Sequence, residues 1–298
     1  MNEKDSPFTI SRRSALMAGT AMFAAAPLGL MSKAWGATPA FDASYTGFAL
    51  ADIGNDDSLE RIQRKGEIVV CTSNDWPYSY LDSKTGAFSG IDADILLLAA
   101  KLLKIDKVTV QTVPFDGMVP GVLAGRFDMV GDSIHFSPER AKVVDFSFPT
   151  YFYAETMVVK KNSGIRVTTI DQLKDKSCGT LLGTHYSEWI QKAPGVQFKG
   201  YKDAEALVQD VASGRLDAGV YDLPVVAGLM KNNPQWPLEL VKDYTPRTLK
   251  IPSNYSRYIF RQRDQQLINA FSRAIEWIQY SGQMREILQR WGLGEEAN

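Results

Sequence analysis

The sequence predicts an α/β protein built as two doubly wound α/β lobes. Helical and strand-like hydrophobic periods alternate along most of the 298 residues. The alternation runs through twice, once in each half of the chain. The junctions of the two halves also match. Gly125-Arg126-Phe127-Asp128 and Gly214-Arg215-Leu216-Asp217 each follow a helix and lead into a short apolar strand. Alternating strands and helices make parallel sheets, and ligands of such sheets sit at the carboxyl ends of the strands. Two facing lobes place those ends across a cleft.

In chain order, residues 37–57 lack a hydrophobic period and read as a linker. Ser58 caps a short helix that Gly66 ends. Glu67–Thr72 is a buried strand, Asp92–Leu103 a helix, Val108–Val113 a strand and Gly117–Ala124 a helix ended by Gly125. Met129 and Val130 begin the next strand, which leads into Asp132-Ser133. In the second half, Ile170–Leu173 starts a short helix, Ser177–Leu182 is a strand and Thr184–Gln191 opens a helix. Ala204–Ala212 is a helix, and Ala218–Val220 a strand ending in Tyr221-Asp222. Tyr255–Phe260 is a strand. It precedes a long helix with Leu267, Phe271, Ile275 and Ile278 on one face, and a last short helix follows.

Composition narrows the function. The chain is 45% hydrophobic and 22% charged with a net charge of −1, which describes an ordinary globular protein. No basic tract marks it for nucleic acid. Ser11-Arg12-Arg13 precedes an apolar run from Ala15 to Met31, interrupted by Pro27 and followed by small residues at Ala34 and Gly36. Residues 1–36 therefore read as an export signal, with the paired arginines pointing to the twin-arginine route. Without them the chain carries 29 basic and 32 acidic residues. Cys71 and Cys178 sit in apolar strand-like runs and read as small buried hydrophobes.

Several residues could carry chemistry. Ser137, Pro138 and Glu139 make a well-formed helix start, and Arg140 then places a cation in its first turn. A cation there opposes the helix dipole at a cost of roughly 0.3–1 kcal/mol, which points to a job outside helix stability. A guanidinium fork suits a carboxylate. Asp222 ends a strand in the other half, and opposite Arg140 it forms the second pole of a zwitterion site. Gly183-Thr184-His185-Tyr186 lies between a strand and a helix, where backbone N–H groups receive anions. Trp76 and Phe115 stand at strand ends and suit an aromatic wall. The two histidines, His135 and His185, also stand at strand ends, one in each half. They lack the spacing of a metal site, and no nucleophile elbow or phosphate loop is present. Binding is expected rather than catalysis, with no cofactor and no metal.

From Ser58 to Leu293 the chain resembles the periplasmic solute-binding proteins of polar amino acid ABC transporters, family 3. The stretches that carry the resemblance are Gly90-Ile91-Asp92-Ala93-Asp94-Ile95, Phe115 to Pro120, and His135-Phe136-Ser137-Pro138-Glu139-Arg140 through Asp145-Phe146-Ser147 to Tyr151. The run from Val158 to Ile165 and the turn from Lys176 to Thr184 add to it. The resemblance implies a type II periplasmic binding protein-like fold, its lobes joined by a two-strand hinge near Thr150–Ala154 and Lys250–Tyr255. Lobe 1 is then 58–151 plus 254–298, and lobe 2 is 152–253. It implies Arg140 on the ligand carboxylate, Asp222 on its amino group, Ser133 and Phe115 as lining residues, and either Asp75 or Trp76 in place of the first-lobe aromatic. The implied protein is a periplasmic monomer that traps an amino acid-like ligand by hinge closure and delivers it to an inner-membrane ABC permease.

The chain departs from the family pattern at His135, where serine or threonine is usual, and at His185, where a second threonine is usual. Both histidines thus fall in the expected cleft beside Thr184. They are expected to touch the ligand or its waters, narrowing specificity toward a ligand with an extra acceptor or acid group. Two alternatives share the fold. One is a cyclohexadienyl dehydratase-like enzyme with His135, His185 or Glu188 as its acid; the other is a sensor that presents its ligand to a membrane receptor.

Overall fold

The computed structural model describes residues 48–50, 53–244 and 255–293. The export signal expected over 1–36 lies outside them. So does most of the second crossing segment expected at 250–255.

The chain enters through α1 (Ser58–Lys65), β1 (Glu67–Thr72), a small hairpin of β2 (Tyr80–Leu81) and β3 (Phe88–Ser89), and α2 (Ile91–Leu102). It continues through β4 (Lys107–Thr112), α3 (Phe115–Leu123), β5 (Met129–His135) and β6 (Val144–Phe146). β7 (Glu155–Lys160), β8 (Ser177–Leu181), α4 (His185–Lys192), β9 (Gln197–Tyr201), α5 (Ala204–Ser213), β10 (Ala218–Asp222), α6 (Leu223–Asn232) and β11 (Leu238–Leu240) form the second lobe. The chain then returns as β12 (Ser256–Arg261), α7 (Gln265–Tyr280) and α8 (Gln283–Arg290).

The two sheets share one plan. The first runs β4-β1-β5-β12-β6 and the second β9-β8-β10-β7-β11. In each, the first three strands are parallel and the fourth is antiparallel to both of its neighbours. The all-parallel sheet expected from sequence is therefore corrected to a mixed one. The cause is the connection between lobes. Parallel strands deliver their carboxyl ends to the cleft, so a chain that crosses at the cleft enters the next sheet from that end and runs the other way. β7 and β12, the first strands after each crossing, are the antiparallel ones.

The crossings lie side by side. Phe152 bridges Tyr255, the Thr150 N–H donates to the Ser256 carbonyl at 2.9 Å, and the Ser256 N–H donates to the Tyr151 carbonyl at 2.8 Å. Asp92, in the first turn of α2, ties both to lobe 1. Its carboxylate accepts from the Tyr151 hydroxyl at 2.8 Å and the Ser256 hydroxyl at 3.0 Å. Burial pushes the pKa of this carboxyl well up, and two hydroxyl donors offset part of that cost.

The first sheet is covered on both faces. α2 and α7 bury Ile95, Leu96, Ala99, Phe271 and Ile275 on one face of the first sheet. α3 closes the other with Met118 and Val122 against Cys71, Val130 and Ile259. Cys71 and Cys178 are free, buried and in different sheets. The end of the expected linker is fixed to α7: the Asp56 carboxylate accepts from the Gln266 N–H at 2.8 Å, and the Asn269 amide donates to the Ile53 carbonyl at 2.9 Å.

One local expectation fails. Arg140 does not open an α-helix. It begins a single 3-10 turn, Arg140–Lys142, although the Ser137 hydroxyl does accept from its N–H at 3.2 Å. A three-residue turn has no macrodipole to oppose, so the dipole argument for Arg140 falls and its role must rest on the cavity.

Candidate functional site

The carboxyl ends of β5 and β10 face each other between the lobes, and a small cavity lies there. Phe115, Ser133, His135 and Arg140 line it from lobe 1, with Tyr153 beside the crossing. Thr184, His185, Tyr186, Tyr221 and Asp222 line it from lobe 2. Seven of the nine residues singled out in the sequence are thus brought together. Asp75 and Trp76 are not on the wall. The Asp75 carboxylate accepts the Tyr221 hydroxyl across the cleft at 2.7 Å, and the Trp76 ring lies over Gly228 of α6.

Arg140 is half-buried and held from three sides. Nη1 donates to the His135 carbonyl at 2.8 Å and Nη2 to the Gly183 carbonyl across the cleft at 2.8 Å. The guanidinium lies over the Phe115 ring, 5.5 Å from its centroid. It has no carboxylate partner among the described residues. Two of its five N–H donors are used, and three remain for a ligand.

Asp222 is the complementary pole. It closes β10 and precedes Leu223 and Pro224, so the chain turns into α6 there and leaves the carboxylate at the cleft. The Tyr186 hydroxyl donates to it at 2.6 Å. No cation pairs with it among the described residues. Burial raises its pKa to about 8 against that hydrogen bond, with Asp75 and Asp132 adding to the rise.

The other lining residues have structural duties as well. Thr184 caps α4, accepting from the Ser187 N–H at 3.2 Å and donating to the Leu181 carbonyl at 2.7 Å. The His135 ring stacks on Tyr153 at 4.3 Å, and the two imidazoles lie 5.1 Å apart. Burial first, then the positive neighbours, lower both histidine pKa values, His185 to about 3. Both are therefore neutral across the physiological range. Glu188, the other candidate acid, is exposed and pairs with Lys192 at 3.6 Å.

Sequence reasoning missed Tyr153 and Glu155 and named Tyr186 and Tyr221 only as neighbours. Tyr151 and Tyr153 alternate along an extended segment, a signal for one shared face. Glu155 gave no signal, because a glutamate before an apolar strand reads as its exposed start. Among the described residues, no group of histidine, cysteine and carboxylate side chains could hold a metal ion.

The Asp75–Tyr221 contact makes closure sensitive to pH. Burial, then the charge of Asp132, raise the Asp75 pKa to about 7 in this closed arrangement. Opening breaks the Tyr221 bond, which lowers this pKa, and removes part of the larger burial that raises it, while Asp132 and Ser73 stay beside the group in lobe 1. Closing then takes up a proton. Its contribution to closure is present at low pH, where both forms hold the proton, and is lost as pH rises through about 7. Ligand affinity should weaken between pH 5 and 7.5 relative to Asp75→Asn, in which that difference vanishes; equal pH profiles refute the linkage.

Two α/β lobes meet at a cavity that carries, among the described residues, a cation without an acidic partner on one wall and a carboxyl without a basic partner on the other, the arrangement expected of a solute-binding protein. Residues 68–294 match the model of the bacterial extracellular solute-binding proteins, family 3, and the chain belongs to that family. It is a substrate-binding protein of the ABC-transporter type. A curated relative is the L-cystine-binding protein TcyJ of Escherichia coli, 26% identical over 255 residues, covering 84% of this chain and 91% of the relative. Among solved structures, an ancestral arginine-binding protein bound to arginine is 28% identical with a TM-score of 0.68, covering 76% of this chain and 98% of that one. The ancestral amino acid-binding protein AncCDT-1, a precursor of cyclohexadienyl dehydratase, is 29% identical with a TM-score of 0.68, covering 78% of this chain and 98% of that one. The relatives are binding proteins.

Proposed function

We propose that this protein is exported to the periplasm, captures an amino acid or a close relative between its lobes, and delivers it as a monomer to an inner-membrane ABC permease. It acts as a binding protein and not as an enzyme. Lobe 1 comprises residues 58–151 and 254–298, and lobe 2 comprises 152–253. The observation that carries the reading is a pair of complementary groups on one cavity, neither with an ion-pair partner among the described residues: Arg140 from the first lobe and Asp222 from the second. Arg140 takes the ligand carboxylate through its free donors, and Asp222 takes the ammonium. Phe115, Ser133 and Thr184 complete the wall, while Asp75 and Trp76 act in closure. Amino acid-binding relatives and the paired crossings at Phe152 and Tyr255 support the same reading. The dehydratase alternative is not favoured, since two of its candidate acids are neutral imidazoles and the third, Glu188, is exposed.

Calorimetric titration tests the proposal with three probe sets: L-amino acids, the amines lacking the carboxylate, and the acids lacking the amine. At least one amino acid should bind with micromolar or tighter affinity, about −8 kcal/mol. Its two truncated forms should bind at least ~100-fold more weakly, each leaving one buried charge unpaired. Asp222→Asn should weaken the amino acid more than the acid lacking the amine. Equal binding of all three forms refutes the two-pole site.

A further inference from the structure

Glu155 is the first residue of β7, and Asp222 is its direct partner across the β7–β10 ladder. Directly paired residues project from the same face of a sheet, so Glu155 lies beside Asp222, which lines the cavity. Glu155 is 6% exposed, and its Oε1 has no hydrogen-bond partner among the described residues. Its Oε2 lies 3.7 Å from Nε2 of His185, beyond hydrogen-bond length, and that nitrogen is also without a partner. Nε2 of His135, on the opposite wall, is a third buried polar atom without one. Buried polar atoms are costly when unpaired. Two of the three belong to residues on the cavity wall and the third, on Glu155, lies behind His185; together they point to a polar group that arrives with the ligand.

Charge gives the sign of that group. Asp75, Asp132, Glu155 and Asp222 are buried around this region, and Arg140 is the cation that faces them on the cavity wall. A ligand carboxylate on Arg140 uses up that cation, and a ligand ammonium answers Asp222 alone. Burial and then the charge of Asp222 raise the Glu155 pKa to about 8 against a hydrogen bond from Tyr186, as for a carboxyl that lacks a counter-ion and keeps its proton until one arrives. A second acid on the ligand would find only buried carboxyl groups and neutral imidazoles there, whereas a second cation draws the buried carboxyls into their charged form. This differs from the expectation, drawn from the histidines in the sequence, of an extra acceptor or acid group on the ligand.

We propose that Glu155, with His185 beside it, receives a second positively charged nitrogen of the ligand, so that the site selects cationic amino acids over neutral and acidic ones. The proposal rests on the amino acid reading above and assigns a specificity-determining role to a residue outside the two-pole site.

The test is calorimetry on the full exported chain with L-ornithine, L-lysine, L-arginine, L-norvaline, L-glutamine and L-glutamate, repeated on Glu155→Gln. At least one cationic amino acid should bind the wild type 10-fold or more tightly than L-norvaline and L-glutamine, with L-glutamate weakest. Glu155→Gln should shrink that preference at least 10-fold while leaving the neutral ligands within about threefold. A neutral or acidic ligand binding tightest to the wild type overturns the proposal without any variant and leaves the amino acid reading intact. A cationic preference that survives in folded Glu155→Gln also overturns it. Failure of every amino acid to bind the wild type overturns both readings together.

Discussion

Arg140→Ala is expected to remove ligand capture while leaving the fold in place. The side chain is fixed before any ligand arrives, by two carbonyl acceptors and the Phe115 ring. No conformational search is then needed to present its remaining donors. Truncation leaves the ligand carboxylate in a closed cleft with neutral histidines and tyrosines and no counter-charge. Removing one partner of a buried charge pair costs about 2–5 kcal/mol, roughly thirty- to several-thousand-fold in affinity. It also removes the contact from Arg140 to the Gly183 carbonyl, one of the bonds that join the lobes. Arg140→Lys should recover only part of the loss, since an ammonium cannot hold two carbonyls and still offer a planar fork. The thermal midpoint should barely move, because the residue sits on a half-buried 3-10 turn outside the core. Wild-type affinity in a folded Arg140→Ala protein refutes the site.

Arg140 shows how the sequence can point to the right residue by a faulty route. Its context looked like a helix start, and the conflict with a helix dipole singled it out. The helix is absent, yet the residue lies on the cavity, because the turn follows directly from the end of β5. Position after a strand was the sound part of the argument. The helices and parallel strands were legible for a similar reason: their hydrophobic periods are local. β7 and β12 were not legible as antiparallel, since strand direction is fixed by where the chain crosses between lobes, and no local pattern records that. β6 and β11 are three residues each, too short to show a period. The meeting of His135 and His185 could be expected once each was placed at a strand end in a matching lobe. Glu155 could not, because its importance comes from Asp222, its partner across a ladder that links residues far apart in sequence.

Gly228→Ala should weaken ligand affinity while raising the stability of the protein, a combination that separates closure from folding. Gly228 lies in α6 of lobe 2, and a Cβ built there overlaps Cζ3 of the Trp76 ring and falls 2.6 Å from Cε3 and 2.7 Å from Cη2. The indole belongs to lobe 1, so this contact exists only while the lobes are closed. Trp76 is 37% exposed even there, and it reads better as a latch between lobes than as a wall of the cavity. A methyl group at 228 must push the rigid ring off the helix or hold the lobes apart. Overpacking of this kind costs about 1–3 kcal/mol, charged wholly to the closed form. Within α6 itself, alanine is the better helix former by about 0.5–1 kcal/mol, and that gain belongs to open and closed forms alike. Calorimetry should show a loss of roughly five- to 150-fold, thermal unfolding without ligand a small rise, and small-angle scattering with ligand a larger radius than the wild type. Trp76→Ala in the same chain should remove most of the penalty, a coupling that a double-mutant cycle measures directly. If the two substitutions are additive, the ring turns aside at no cost, and the latch contributes nothing to closure.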